Sequence, residues 1–103
     1  MKFTKQVLIF EWDRGNGTKN WIKHKVKTEE CEEIFYDKIN IGLPDLKHSL
    51  VEKRFYLLGK TKKNRRLTIS YTLRNDKIRV ISARNQNNKE QKTYENQKIQ
   101  KNT

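Results

Sequence analysis

The sequence predicts an α+β fold: a strand, two helices, a three- to four-stranded antiparallel sheet with the helices to one side, and a closing helix. Two observations carry this. Residues 66–74 and 77–84 read as strands joined at Asn75-Asp76, a dipeptide suited to a tight hairpin because both residue types tolerate left-handed backbone angles. Residues 28–36 instead place Cys31, Ile34 and Phe35 at three- and four-residue spacing, the buried stripe of an amphipathic helix.

Taken in order, QVLIFE (6–11) is a short apolar run suited to a strand, and Asp13 is a good helix N-cap. Residues 14–25 fit a helix by length and ending, although Gly15 and Gly17 weaken its start. The second helix spans Thr28 to Tyr36, with Thr28 as its cap and Glu29, Glu30, Glu32 and Glu33 favouring its N-terminal end. Cys31 belongs to that helix's core stripe, so its thiol fills space and does no chemistry. Ile39 and Ile41 alternate with polar residues as in an edge strand that Gly42, Pro44 and Asp45 break. Residues 53–61 form the next strand, and the turn 62–65 leads to RLTISYTLR. There Leu67, Ile69, Tyr71 and Leu73 share one face, and Arg66, Thr68, Ser70, Thr72 and Arg74 share the other. The run Val80-Ile81 predicts burial on both faces and hence a central strand. Asn87 or Asn88 caps the last helix, which carries Glu90, Tyr94 and Ile99. The 103 residues make a single domain over 1–96, with a tail over 97–103 expected to fray.

Only 33% of the residues are hydrophobic, so the core is thin and the sequence points to marginal stability or a stabilising partner. A single cysteine excludes an internal disulfide framework. No apolar stretch is long enough for a signal peptide or a membrane helix, and a cytoplasmic protein without membrane contact is expected. The net charge is +12. Residues 1–52 carry nine Lys/Arg and nine Asp/Glu, whereas residues 53–103 carry fifteen and three. A one-sided cationic surface attracts polyanions, of which nucleic acid is the commonest.

His24 and His48 lie in different segments, and neither zinc spacing nor a phosphate-binding glycine loop is present, so no metal or other cofactor is predicted. What remains is a sheet of basic and hydroxyl residues. Cleaving RNA through its own 2′-hydroxyl needs a base, cations to stabilise charge developing at phosphorus, and an acid for the leaving oxygen. Arginine serves the second role, since its planar donors match phosphate and it keeps its charge. His24, Glu90, Tyr71 and Tyr94 are candidate proton movers. Each has a structural alternative: His24 as a helix cap, Glu90 as a dipole or arginine partner, Tyr71 as core, and Tyr94 as packing for the last helix. Arg79 and Arg84 have opposite parity, so both face one side of the sheet only if the strand twists or bulges.

Several segments together resemble the BrnT family of toxins from type II toxin–antitoxin systems. They are FEWD (10–13), Asn20, Lys23-His24, Val26, Glu29-Glu30, Arg54-Phe55, Leu58-Gly59-Lys60-Thr61, Arg66-Leu67, Tyr71-Thr72-Leu73-Arg74, and IRVISAR (78–84) with Glu90 and Tyr94. The resemblance runs in order from about Phe10 to Glu95. It implies a RelE-like ribonuclease fold and metal-independent RNA cleavage. It also implies a cognate BrnA-type antitoxin with a ribbon-helix-helix part, through which alone the toxin would meet operator DNA. By this carry-over Arg84, Arg66, Glu90, Arg79 and His24 are the catalytic candidates. Arg54, Arg74, Lys60, Arg65, Lys63 and Tyr94 are the candidate RNA contacts. The chain departs from the family's usual pattern at Asn16 (usually lysine), Lys25 and Asn64 (usually glycine), Thr28 (often aromatic), and at Gly15 and Gly17. The alternative is a non-catalytic nucleic-acid-binding module on the same basic sheet.

Overall fold

A computed structural model of the chain describes residues 8–48 and 50–101. A π-helical turn over Arg14–Thr18 leads into helix α1 (Lys19–His24), and α2 (Thr28–Tyr36) follows. Strands β1 (Ile41–Asp45), β2 (Arg54–Lys60), β3 (Arg66–Arg74) and β4 (Lys77–Asn85) form one antiparallel sheet in the order β1-β2-β3-β4, and α3 (Asn88–Lys101) closes the chain. The α+β class is therefore present as expected, with all four strands. None of the described helices is long and apolar enough to cross a membrane.

Local chemistry explains most boundaries. Asp13 caps the first helical segment: its Oδ1 accepts from the N–H groups of Gly15 and Asn16, and Asn16 Oδ1 accepts from Asp13 N–H in return. Lys25 ends α1 in the left-handed region (φ 56°), where a glycine would sit without strain. The cap of α2 is Lys27, whose N–H donates to Glu30 Oε1; the expected cap Thr28 is already the first helical residue. Asn75 (φ 50°) and Asp76 (φ 64°) make the hairpin, and Asn64 (φ 67°) fills the left-handed position of the β2–β3 turn. Asn87 and Glu90 exchange bonds at the start of α3, with Asn87 Oδ1 accepting from Glu90 N–H at 2.8 Å and Glu90 Oε1 from Asn87 N–H at 2.9 Å.

Other expectations change as well. The first strand, so far as it lies within the described residues, is a single parallel bridge of Phe10 to Ile78; its residues 6 and 7 lie outside them. β1 runs through Gly42 and Pro44 instead of breaking, because an edge strand tolerates a proline that has no ladder bond to give. α3 continues through Gln97 to Lys101. β4 is the last strand of the sheet and not a central one. Its Val80-Ile81 run has another cause: Ser70 pairs with Ser82 but Tyr71 pairs with Val80, so Ile81 is the extra residue of a β-bulge.

The face of the sheet toward α1 and α2 carries the core, built from Val26, Cys31, Ile34, Phe35, Leu57, Leu67, Ile69, Tyr71, Ile78, Val80 and Ala83. Edge-to-face contacts of Phe35 with Phe10 (5.3 Å) and Tyr71 (5.0 Å) join the entering chain, α2 and β3. Cys31 is core filling as expected, and burial together with Glu30 and Glu32 pushes its thiol up to about 12. Leu73 shares this parity but is exposed at the strand end. α3 lies on the opposite face, not with the other helices, and the sheet is thus covered on both sides.

The outer edge of β4 is closed by two buried asparagines flanking the bulge. Asn16 Nδ2 donates to Val80 O at 3.0 Å and to Glu11 O at 2.9 Å. Asn20 Oδ1 accepts from Ala83 N–H at 3.0 Å, while its Nδ2 donates to Asn16 O. Removing a partner from a buried bond leaves the other unsatisfied, at about 1–3 kcal/mol. Asn20→Ala, which leaves the buried Ala83 N–H without its side-chain acceptor, is expected to lower unfolding free energy by about 1–3 kcal/mol in urea titrations. A loss under about 0.5 kcal/mol would show that these bonds do not hold the bulge.

Candidate functional site

The bulge decides which side chains share a face. With Ile81 looped out, Arg84 pairs with Thr68 and Arg79 with Thr72, two residues of equal parity. Arg79, Ser82 and Arg84 therefore project to the same side as Arg66, Thr68, Ser70, Thr72 and Arg74 on β3. Register adds Arg54, Tyr56, Leu58 and Lys60 from β2 and Leu43 and Asp45 from β1. α3 crosses one end of this face.

The tightest polar constellation on it is the corner between β4 and α3. Arg84 and Glu90 form a bidentate pair, Nη1–Oε1 2.8 Å and Nη2–Oε2 3.0 Å. Burial alone would raise the Glu90 carboxyl, but the Arg84 guanidinium and the Asn87 N–H outweigh it and hold it below its ordinary value. Glu90 is therefore ionised at neutral pH. Arg84 remains 38% exposed, open on the solvent side of the pair.

The other candidates take different places. Arg66 forms an ion pair with Glu95 and lies over the Tyr94 ring at 5.9 Å. Tyr94 is fully buried and donates to Asp37 Oδ2 at 2.6 Å, so it fastens α3 to the sheet and presents no surface to RNA. Asp37 also accepts from Lys60 N–H, beyond the end of β1, and so joins α2 and α3 across the sheet edge. Arg79, only 16% exposed, is held by Glu11 (3.0 Å) and Asp13 (2.8 Å) and staples the entering chain to β4. Arg65 is a clamp: its guanidinium donates to the carbonyls of His24 and Lys25, to Glu30 and to Asn85 Oδ1. What His24 contributes is that carbonyl, at the end of α1. Arg74 pairs with Glu52 at 3.2 Å, and Arg54 lies close enough to help lower the Glu52 carboxyl, whose chief influence is the Arg74 bond. Lys60 borders a groove of about 510 Å³ against Glu29, Glu32, Glu33 and Asp37 of the α2 region. Lys63 is exposed in the β2–β3 turn. Tyr71 is core, its phenol pushed up to about 12 by burial.

Five of the arginines on or beside the sheet are thus held in ion pairs. Semi-buried charges on a thin core are held only where a carboxylate meets them. The arginines of the second half accordingly draw on acids of the first half (Glu11, Asp13, Glu30, Glu52) as well as on Glu90 and Glu95. Lysines, seventeen of the 24 basic residues, carry most of the positive excess.

Sequence reasoning missed a group beside the corner. Tyr56 stands on the same face, and its hydroxyl bonds the buried Asp45 carboxylate. His48 Nδ1 lies 2.9 Å from Asp45 Oδ2, and His48 N–H donates to Asp45 Oδ1. Burial would raise Asp45, but these bonds hold it below its ordinary value. Burial and the Asp45 charge raise the Tyr56 phenol, so it keeps its proton at neutral pH. Strict alternation from Arg54 places Tyr56 outward, a signal present in the sequence, whereas the approach of Asp45 and His48 depends on the loop after β1.

A depressed carboxylate contributes stability above its unfolded value and loses it as pH falls through the folded one. The stability difference between wild type and Glu90→Gln is therefore expected to be full at pH 7 and to shrink as pH drops below 4.5, the ordinary value for the group. Thermal melts from pH 7 to 3 measure it, and a gap that grew on acidification would contradict the assignment.

Among the curated proteins none matches the chain. The family model for the ribonuclease toxin BrnT of type II toxin–antitoxin systems matches residues 12–90, which span the capped first turn, the bulged β4 and the Arg84–Glu90 corner. This chain belongs to the BrnT family of ribonuclease toxins of type II toxin–antitoxin systems.

Proposed function

We propose that this chain cuts RNA without a metal ion by promoting attack of a 2′-hydroxyl on the adjacent phosphorus, at the corner where β4 meets α3. The observation that carries the reading is the Arg84–Glu90 bidentate pair, a guanidinium held in place and still open to solvent. Arg84 would donate to the non-bridging oxygens as charge grows on them. Glu90, ionised, would accept the 2′-hydroxyl proton, and the 2′-oxygen–phosphorus bond would form as the bond to the 5′-oxygen breaks, leaving a 2′,3′-cyclic phosphate. The products are that cyclic end and a 5′-hydroxyl, protonated by a second group or by water. Arg54, Arg74 and exposed lysines such as Lys63 supply the field that draws the strand onto the face. Arg65, Arg66, Arg79, His24 and Tyr94 act on this reading as supports of the site, since their contacts lie within the fold. The protein would act in the cytoplasm and be neutralised by a BrnA-like ribbon-helix-helix antitoxin, meeting operator DNA only through it.

A non-catalytic RNA-binding module gains from one observation, the aromatic ring of Tyr56 on the open sheet face. Incubating the purified protein with single-stranded RNA in EDTA separates the two. Cleavage by the wild type is expected, falling about 10²–10³-fold in Arg84→Ala with the melting curve preserved. Arg84→Lys, which keeps charge but loses the bidentate fork, is expected to fall in between. RNA that is bound yet left intact by the wild type would favour the module.

A further inference from the structure

Beside the Arg84–Glu90 corner, the open face dips into a hollow of about 270 Å³ between β1, β2 and the first turns of α3. Leu43, Tyr56 and Leu58 form its apolar walls, and Asn87, Lys89 and Thr93 its rim; Glu90 borders it as well. Leu43 is 43% exposed although it faces this hollow, and Leu58 beneath is buried. The aromatic wall is held in place, because the Tyr56 hydroxyl bonds Asp45, which His48 fixes in turn. The composition is unusual for so charged a surface. It combines two aliphatic side chains and a fixed ring with one cation and two uncharged polar groups at the mouth, next to a guanidinium.

We infer that this hollow takes one unstacked nucleobase of a single-stranded RNA, with Tyr56 as the stacking wall and Leu43 and Leu58 as its apolar neighbours. The inference rests on the RNA reading above and adds a base-binding subsite to it. A phosphate would not be drawn to walls of leucine and tyrosine. A peptide side chain would leave the flanking cationic surface unused. A base splayed out of a single strand suits both: its planar face stacks on an aromatic ring, its edge meets amide and hydroxyl groups, and its own phosphate lies within reach of Arg84 and Lys89. Asn87 and Thr93 bring an amide and a hydroxyl to the rim, where a base presents its hydrogen-bonding edge. Seating a base there anchors the strand beside the guanidinium, so that affinity gained at the base orients the reacting phosphate.

The role assigned to Tyr56 is that of its ring, not its hydroxyl, and a binding assay distinguishes the two. The probes are two 2′-O-methyl RNA hexamers, which cannot undergo 2′-hydroxyl attack; one is complete and the other lacks a single central base. Fluorescence anisotropy at fixed salt is expected to show the wild type binding the complete hexamer about tenfold tighter, the scale of one base stacked on an aromatic ring. Tyr56→Phe is expected to keep this preference. Tyr56→Ala and Tyr56→Leu are expected to bind both hexamers equally, at the level of the wild type with the probe that lacks a base; the leucine variant retains apolar bulk and guards against a folding artefact. Equal wild-type affinity for the two hexamers overturns the subsite while leaving RNA binding intact. So does a preference that survives in the leucine variant, or one that is lost in Tyr56→Phe. A wild type that binds neither hexamer overturns the RNA reading itself and the subsite with it.

Discussion

One inserted residue organises the functional face. Without Ile81 looped out of β4, strict alternation would put Arg79 and Arg84 on opposite sides of the sheet. A bulge costs ladder bonds, and its exposed groups need partners. Here they come from the π-helical turn and α1. Asn16 accepts the task at Val80 O and Asn20 at Ala83 N–H, on either side of the extra residue. The same contacts seal an edge that would otherwise invite pairing with another chain. The first helix is short and interrupted by a π-helical turn; its value to the protein is where it carries two amides.

Electrostatics distributes the remaining roles. The chain has a net charge of +12, yet its site-bearing arginines are matched by acids. Arg65 and Arg79 knit the N-terminal segments to the sheet, and Arg66 with Tyr94 knits α3 to it. These pairs stiffen a fold whose apolar core is small. Arg84 differs in that its partner is part of a helix cap. Glu90 is fixed by Asn87 before it meets the guanidinium, so both members of the pair are oriented by the backbone of the strand-to-helix corner. A second held group, Tyr56 on Asp45, stands across the hollow from it.

Much of this was legible in residue order. Periodicity located α2, β3 and the hairpin at Asn75-Asp76, and the polar face of β3 was assigned correctly. Asn64 stands where the family usually has glycine, and its left-handed backbone angle (φ 67°) accounts for the exchange. Other features were hidden for identifiable reasons. Val80-Ile81 looks the same whether a strand is doubly buried or bulged, and only the pairing of Ser70 and Tyr71 distinguishes them. Asn16 appeared as a mere departure from the family's lysine, yet it is buried and bonded at both ends of its amide. Counting arginines could not reveal which would find a carboxylate, since Glu11, Asp13 and Glu30 are distant in sequence from Arg79 and Arg65. By sequence Tyr94 suits either an RNA contact or packing, and its complete burial fits packing.

RNA binding by this chain depends on the sheet face that carries Tyr56 and Arg84. The most direct measurement is an NMR titration of the ¹⁵N-labelled protein with a 2′-O-methyl single-stranded RNA, whose sugar cannot attack its own phosphate. Chemical-shift changes are predicted to gather on Tyr56, Ser70, Ser82, Arg84, Asn87 and Glu90 and to leave α2 unaffected. Changes centred on α2 and the groove beside it, or scattered evenly over the lysines with Arg84 and Tyr56 silent, would contradict it.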